Sequence, residues 1–208
     1  MPVIPQYTLT YFDLMGKGEV IRMLFNYAGV KFTDKRISRA EWPAIKEKQP
    51  FGQLPVLEFD GKVLFQSRAI EKYLAKQFGL LGDDDFEAAQ IDQYILSLDD
   101  VGNNLKPLWG VTDEAKKEEL KKQISNDHVI PALKRFEGFL HKNGNKFFVG
   151  NKLSLADLAI FHLLFYITKL FGDSILDSFK DLKSFMGRIS EEEKLKPYLQ
   201  TRSQKIFL

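Results

Sequence analysis

The chain has 208 residues, 44% of them hydrophobic and 28% charged; that is enough apolar material for a packed core and too much for a disordered chain, and the length suits one large domain or two small ones. Thirty Lys and Arg against 28 Asp and Glu leave a net charge of +2, so no strong basic field points to nucleic acid or a membrane surface. Cysteine is absent, which excludes disulfide scaffolds, thiolate metal sites, cysteine nucleophiles and Cys-x-x-Cys redox chemistry. The three histidines, His128, His141 and His162, are too scattered to suggest a metal site. The opening MPVIPQYTLTYF has neither a basic nor a continuous apolar region of the signal-peptide kind. No apolar run approaches the roughly 18 residues of a spanning helix, so a soluble, cytoplasmic protein is expected.

The first eighty residues alternate between strand and helix patterns. Tyr7–Tyr11 is a β-prone stretch, and Val20, Ile21, Leu24, Phe25 and Ala28 then recur at helical spacing before Gly29. Lys31–Ile37 alternates as a second strand, and Pro43 suits the first position of a short helix over Trp42–Glu47. Two β-rich runs, residues 55–59 and 62–65, flank Asp60-Gly61 and form a hairpin signature. Ser67 is a good N-cap for a helix carrying Ile70, Tyr73, Leu74 and Phe78 on one face. The order βαβαββα implies a four-stranded mixed sheet with helices packed on it.

Residues 81–85 read as an acidic linker, and the pattern beyond is helical. Ile91, Ile95, Leu98, Leu105 and Trp109 lie near one stripe. A second helical stretch over 113–142 contains Pro131, which should kink it. Further helices carry Leu155, Ala159, Leu163, Ile167 and Leu170, then Leu176, Phe179, Leu182, Phe185 and Ile189. The expected organisation is an α+β domain over 1–80, a linker over 81–85 and an all-α domain over 86–208. The first part carries 12 basic and 8 acidic residues, the remainder 18 and 20, a mild bias toward an anionic ligand in the first.

Three places in the first domain carry possible chemistry. Pro55 opens a strand, where it removes a ladder donor; a cis Leu54–Pro55 bond would turn the Leu54 amide outward to pair with an extended peptide. An ordinary trans proline is the commoner case, since only about 5–6% of X-Pro bonds are cis. Gln66-Ser67 lies where a strand runs into a helix, so the Ser67 hydroxyl and nearby N–H groups either cap the helix, form a carboxylate pocket, or do both. Tyr11 ends the first strand before Gly16-Lys17-Gly18. Aromatics at strand ends are usually packing, but a phenol near a ligand sulfur would donate to the thiolate and favour it.

The ordered segments Leu9-Thr10-Tyr11-Phe12, Gly16 to Arg22, Glu41-Trp42-Pro43-Ala44-Ile45-Lys46, Pro50-Phe51-Gly52-Gln53-Leu54-Pro55-Val56-Leu57 and Gln66-Ser67-Arg68-Ala69-Ile70 together resemble the N-terminal domain of cytosolic glutathione transferases. The resemblance is greatest to the sigma class, which includes haematopoietic prostaglandin D synthase and many invertebrate enzymes, and covers essentially the whole chain. It implies a thioredoxin-like glutathione domain, a cis Pro55 and an all-helical second domain. It also implies glutathione as cosubstrate and a homodimer. Tyr11 matches the catalytic tyrosine. Trp42, Lys46, Leu54, Gln66 and Ser67 match positions that hold glutathione: Leu54 at the cysteinyl backbone, Gln66 and Ser67 at the γ-glutamyl end, Trp42 and Lys46 at the glycine end. Asp100, of the pair Asp99-Asp100, would reach the glutathione of a neighbouring subunit.

Two cofactor-binding positions depart from the class. Lys17, followed by Gly18, stands where an Arg-Ala pair is common, replacing a bidentate group by a point charge. Gln53 stands where a Lys is often found. Leu96 occupies the place of an acid in the class member that binds Mg²⁺, so no metal site is expected. Ser154-Leu155-Ala156-Asp157 reads as a helix-start cap, hence a folding element. His162, on an apolar face, reads as packing rather than as a base. The expected activity is activation of the glutathione thiol for attack on hydrophobic electrophiles in detoxification. The acceptor pocket is expected between the domains, lined by Phe12, Leu14, Gly16, Trp109, Ala159, Leu163 and Leu208. Isomerisation of a prostaglandin endoperoxide is a second enzymatic reading, and a hydrophobe carrier or crystallin-like role a third of another class. No nucleic acid or membrane partner is expected.

Overall fold

A computed structural model of the chain describes residues 5–206. They form two compact units: one takes the chain up to Leu80 together with residues from Ser190 onward, the other Leu81–Ile189.

The first unit is built on a four-stranded sheet in the order β2-β1-β3-β4, with β1 Tyr7–Phe12, β2 Phe32–Ile37, β3 Val56–Phe59 and β4 Lys62–Phe65. β1 pairs parallel with β2 and antiparallel with β3, and β3 pairs antiparallel with β4. The helix α1 (Glu19–Ala28) makes the β1–β2 crossover that parallel pairing requires. Asp60 and Gly61, at φ of 48° and 71°, form the tight turn between β3 and β4, the positive-φ pair that a two-residue hairpin needs. A short helix, α2 (Trp42–Ile45), and then α3 (Ser67–Gln77) complete the expected order. The core between sheet and helices is aromatic: Phe25 of α1 stacks on Phe32 at 4.4 Å and meets Tyr7 at 5.1 Å. The Leu54–Pro55 bond is cis.

The second unit is helical: α4 (Asp85–Leu105), α5 (Glu114–Ile124), α6 (Ile130–Lys142), α7 (Leu155–Phe171) and α8 (Lys180–Ser190), the last ending at the unit boundary. Its core centres on Phe148, which meets Tyr94, Phe136 and Phe185 edge-on at 5.2–6.2 Å. The α7 helix is apolar on nearly every face and correspondingly buried. Its start is fixed by the buried Asp157 carboxylate, which accepts the Ser154 N–H and hydroxyl at 2.8 and 2.7 Å and the Phe148 N–H at 2.8 Å. Burial pushes Asp157 up to about 6, and these donors hold it back from going further.

The structure adds to the sequence reading at four places. Residues 81–85 carry three exposed acids, Asp83, Asp84 and Asp85. They open the second unit, where Asp84 caps α4 by accepting the Glu87 N–H at 2.8 Å, Glu87 accepts the Asp83 N–H at 2.8 Å, and Lys152 pairs with Asp83. Ser67 is not the N-cap of α3. Gln66 occupies that position at φ 71°, and Ser67 is the first helical residue. The helical stretch runs unbroken from Glu114 to Lys142, and a π-helical segment, Ser125–Val129, lies just before Pro131, a local change of helix type of the kind that accompanies bends. Finally, the described residues from Ser190 onward, including α9 (Lys196–Thr201), group with the first unit, because the buried Glu19 of α1 takes hydrogen bonds from Tyr198 and Arg202.

Candidate functional site

The Tyr11 side chain is buried, and two glycines shape its place. A methyl group on Gly18 would lie 2.6 Å from the ring at Cδ1, and one on Gly16 would lie 2.7 Å from the phenol oxygen and 2.5 Å from Leu14 Cδ1. Only a residue without Cβ lets the loop approach the ring this closely. In return the loop supplies a donor: the Lys17 backbone N–H reaches the Tyr11 phenol oxygen at 2.9 Å. The sequence reading gave Lys17 a role through its ammonium; the structure adds its amide. The Tyr11 ring meets Phe12 edge-on at 5.7 Å, and Phe12 meets Trp42 at 5.3 Å. Phe12, Leu14 and Gly16 are thus gathered round Tyr11.

The loop is held from behind by Arg22, which is fully buried in α1. Its guanidinium donates to the carbonyls of Leu14 at 2.8 Å and Phe12 at 3.4 Å and to both Asp34 oxygens at 3.1 Å, and stands 3.5 Å from Glu19. It also lies 5.8 Å from the Tyr11 ring centroid, within reach of a cation–π contact. The sequence reading assigned no role to Arg22 or Glu19. The signal was present as two charges in or beside the apolar run Val20-Ile21-Met23-Leu24-Phe25, since charges so placed are buried only when paired.

Lys17, Gln53, Leu54, Pro55, Phe65, Gln66 and Ser67 line a cavity of about 20 Å3. The structure therefore brings together five residues expected at glutathione. Gln66 holds a positive φ of 71°, a conformation costing on the order of 1–3 kcal/mol for a residue with a side chain. It leads directly into α3, which has no side-chain cap, and a helix start attracts anions through its amides and dipole. Ser67 is buried at this end. Lys46 is exposed and belongs to the same unit, its Cε 3.8 Å from where a side chain on Gly52 would start.

The remaining expected residues lie in the helical unit. Asp100 is exposed on α4, Trp109 is half exposed, and Ala159 and Leu163 are buried in α7. Trp109 hydrogen-bonds Tyr166, whose phenol burial pushes up and that bond draws back; the sequence reading did not name Tyr166. Leu208 falls outside the described residues. A wider recess of about 500 Å3 in this unit, walled by Lys121, Lys122, Leu170 and Phe171 among others, contains none of the expected residues. Among the described residues, no three His, Asp or Glu side chains converge as a metal site would require, and no helix is long and apolar enough to cross a membrane.

Comparison with known proteins matches residues 7–76 to the glutathione S-transferase N-terminal domain and residues 99–202 to the glutathione S-transferase C-terminal domain. The chain belongs to the glutathione S-transferase family. It is 41% identical over 205 residues to glutathione S-transferase 1 of Ascaris suum, covering 96% of this chain and 98% of that one. Among solved structures, the sigma-class glutathione S-transferase of Fasciola hepatica is 30% identical with a TM-score of 0.90, over 98% of this chain and 99% of that one. The prostaglandin synthase D of Nilaparvata lugens is 35% identical with a TM-score of 0.87, over 96% and 99%. The glycine pair around Tyr11 gives a sharp test of this packing. Gly18→Ala should displace the Tyr11 ring, separate its oxygen from the Lys17 amide and cost about 1–3 kcal/mol of stability, read from a crystal structure and urea unfolding. An unmoved ring with unchanged stability would contradict the close packing.

Proposed function

We propose that the chain is a cytoplasmic, sigma-class glutathione transferase that detoxifies hydrophobic electrophiles, with Tyr11 as its catalytic residue. The observation that carries this reading is the Tyr11 phenol oxygen held at 2.9 Å by the Lys17 amide, in the same unit as the cavity lined by Leu54, Gln66 and Ser67. An oxygen that accepts from a fixed amide keeps its own proton for another acceptor, and the bond it receives strengthens the one it gives. A glutathione sulfur is that acceptor. The phenol stays protonated and donates to the thiolate; the thiol proton goes to solvent. With a free thiol near 8.5, a lowering by two units corresponds to about 2.7 kcal/mol and makes the thiolate the major form near neutrality. The sulfur then attacks the electrophilic carbon, and the leaving group departs with the bonding pair.

The uncapped N-terminus of α3, with Gln66 and Ser67, suits the γ-glutamyl carboxylate. The Leu54 backbone suits the cysteinyl backbone, and Trp42 and Lys46 the glycyl end. Gln53 offers hydrogen bonds there without a charge. Phe12, Leu14 and Gly16 form the nearest wall for the electrophile. A glutathione-dependent endoperoxide isomerase is the second reading, supported by the similarity to the Nilaparvata lugens prostaglandin synthase D; incubation of the purified protein with prostaglandin endoperoxide separates the two by product. The presence of Tyr11, Gln66 and Ser67 argues against a purely carrier or structural role.

A homodimer is part of this reading. Phe51 is 64% exposed and stacks on the exposed Phe65 at 5.9 Å, an apolar pair suited to a second copy, and Asp100 would act on the partner's glutathione. Sedimentation at micromolar concentration should show twice the chain mass; a monomer alone would remove the role given to Asp100. Tyr11→Phe should cut conjugation by about 10²-fold or more while leaving retention on immobilised glutathione nearly intact. Turnover near that of the unaltered protein would contradict the role of Tyr11.

A further inference from the structure

The returning C-terminal segment meets the loop beside Tyr11 rather than merely covering a surface. Tyr198 donates its phenol proton to Glu19 Oε1 at 2.9 Å, and the Arg202 guanidinium donates to the same oxygen at 3.0 Å. Burial first, and the facing Glu19 carboxylate second, push the Tyr198 phenol well above its ordinary range, so it remains a donor. Glu19 and Arg22 are 1% and 0% exposed, and Arg202 is 9% exposed. Glu19 Oε2 faces Arg22 at 3.5 Å, and Arg22 holds the Leu14 carbonyl at 2.8 Å. Further along, the Lys205 carbonyl accepts the Met15 N–H at 2.8 Å, and the Lys205 ammonium lies 3.8 Å from Asp13.

These contacts converge on Asp13, Leu14 and Met15. The loop continues through Gly16 to Lys17, whose amide reaches the Tyr11 phenol oxygen at 2.9 Å. Residues Gly16–Gly18 form a single 3-10 turn in which the Glu19 N–H bonds the Gly16 carbonyl, so the turn moves with the residues that lead into it. The position of the Lys17 amide therefore depends on what fixes the residues on either side of it, and part of that fixing comes from the far end of the chain.

We propose that the segment from Tyr198 to Lys205 is a positioning strap for the catalytic loop, with Arg202 and Tyr198 as positioning residues that act on Tyr11 through Glu19 and Arg22. The inference rests on the Tyr11 reading above. Neither residue lines the cavity of Leu54, Gln66 and Ser67, so loosening the strap disturbs the phenol and, Lys17 apart, leaves the residues of that cavity in place.

The test uses the full chain with Arg202→Met, Arg202→Lys, Tyr198→Phe and Tyr11→Phe in one series. Arg202→Met should lower kcat about 10-fold, the scale of a misplacement caused from a distance. Its KM for glutathione should stay within about twofold, and the acidic limb of its kcat/KM profile should move to higher pH. Tyr198→Phe, which removes a single donor and carries the test should Arg202→Met not fold, should lower kcat about threefold in the same direction. Arg202→Lys, keeping a cation for Glu19, should return kcat to within about twofold of the unaltered protein. If Tyr11→Phe shows its large loss while the folded strap variants keep normal kcat and an unmoved pH profile, whatever their melting temperatures, the strap is overturned alone. If turnover is indifferent to Tyr11→Phe, the reading beneath it falls, and the strap with it.

Discussion

One hydrogen bond organises the proposed active centre: the amide of Lys17 pointing at the oxygen of Tyr11 over 2.9 Å. A phenol has one proton to give and room to accept. With the acceptor side occupied by a backbone N–H that cannot rotate away, the remaining proton has a defined direction. A side-chain donor would leave that direction to a rotamer, whereas an amide fixes it with the chain. The cost is a loop that must run against an aromatic ring, and this explains why glycine stands at both Gly16 and Gly18, where a methyl group would fall 2.7 Å and 2.6 Å from Tyr11.

The loop's backbone carbonyls are tied to a buried group of ions. Arg22 and Arg202 face Glu19, and Arg22 also faces Asp34, which is shared with Arg36. Such ions gain little from simple attraction once their desolvation is counted, and removing one member costs about 3–5 kcal/mol because another charge is left buried. That asymmetry makes the group poor at adding stability and good at specifying position. Arg22 has donors enough to bind Asp34 and the Leu14 and Phe12 carbonyls at once, a planar fork that a lysine could not reproduce. The sheet supplies Asp34 from β2, the neighbour of β1, so the pairing of Tyr11 with Arg36 in the register also places the acid that Arg22 needs.

How much of this was legible follows from the range of each interaction. The βαβαββα order, the Asp60-Gly61 hairpin and the Ser154–Asp157 cap are local patterns, and the structure contains each of them. The grouping of Lys17, Gln53, Leu54, Gln66 and Ser67 around one cavity was reached through the resemblance of ordered motifs, because no single segment announces it. Ser67 was misplaced by one position as a cap, since nothing in the residue type of Gln66 signals a backbone at φ 71°. The C-terminal return was missed altogether. The helical positions named in the sequence end at Ile189, and the partner that fixes the segment beyond, Glu19, lies 183 residues before Arg202. Periodicity sees which face is apolar; it does not see which distant charge a buried carboxylate requires. The acids of 81–85 are exposed, as their composition implies, while their capping partner Glu87 and ion partner Lys152 are invisible to composition.

The central claim is that the Tyr11 phenol stabilises a negatively charged sulfur delivered by glutathione. Titrating that thiol in the complex with the unaltered protein, followed by the ultraviolet absorbance of the thiolate, tests it most directly. The account predicts an inflection about two units below the free-thiol value near 8.5. An inflection at the value found in water would contradict it.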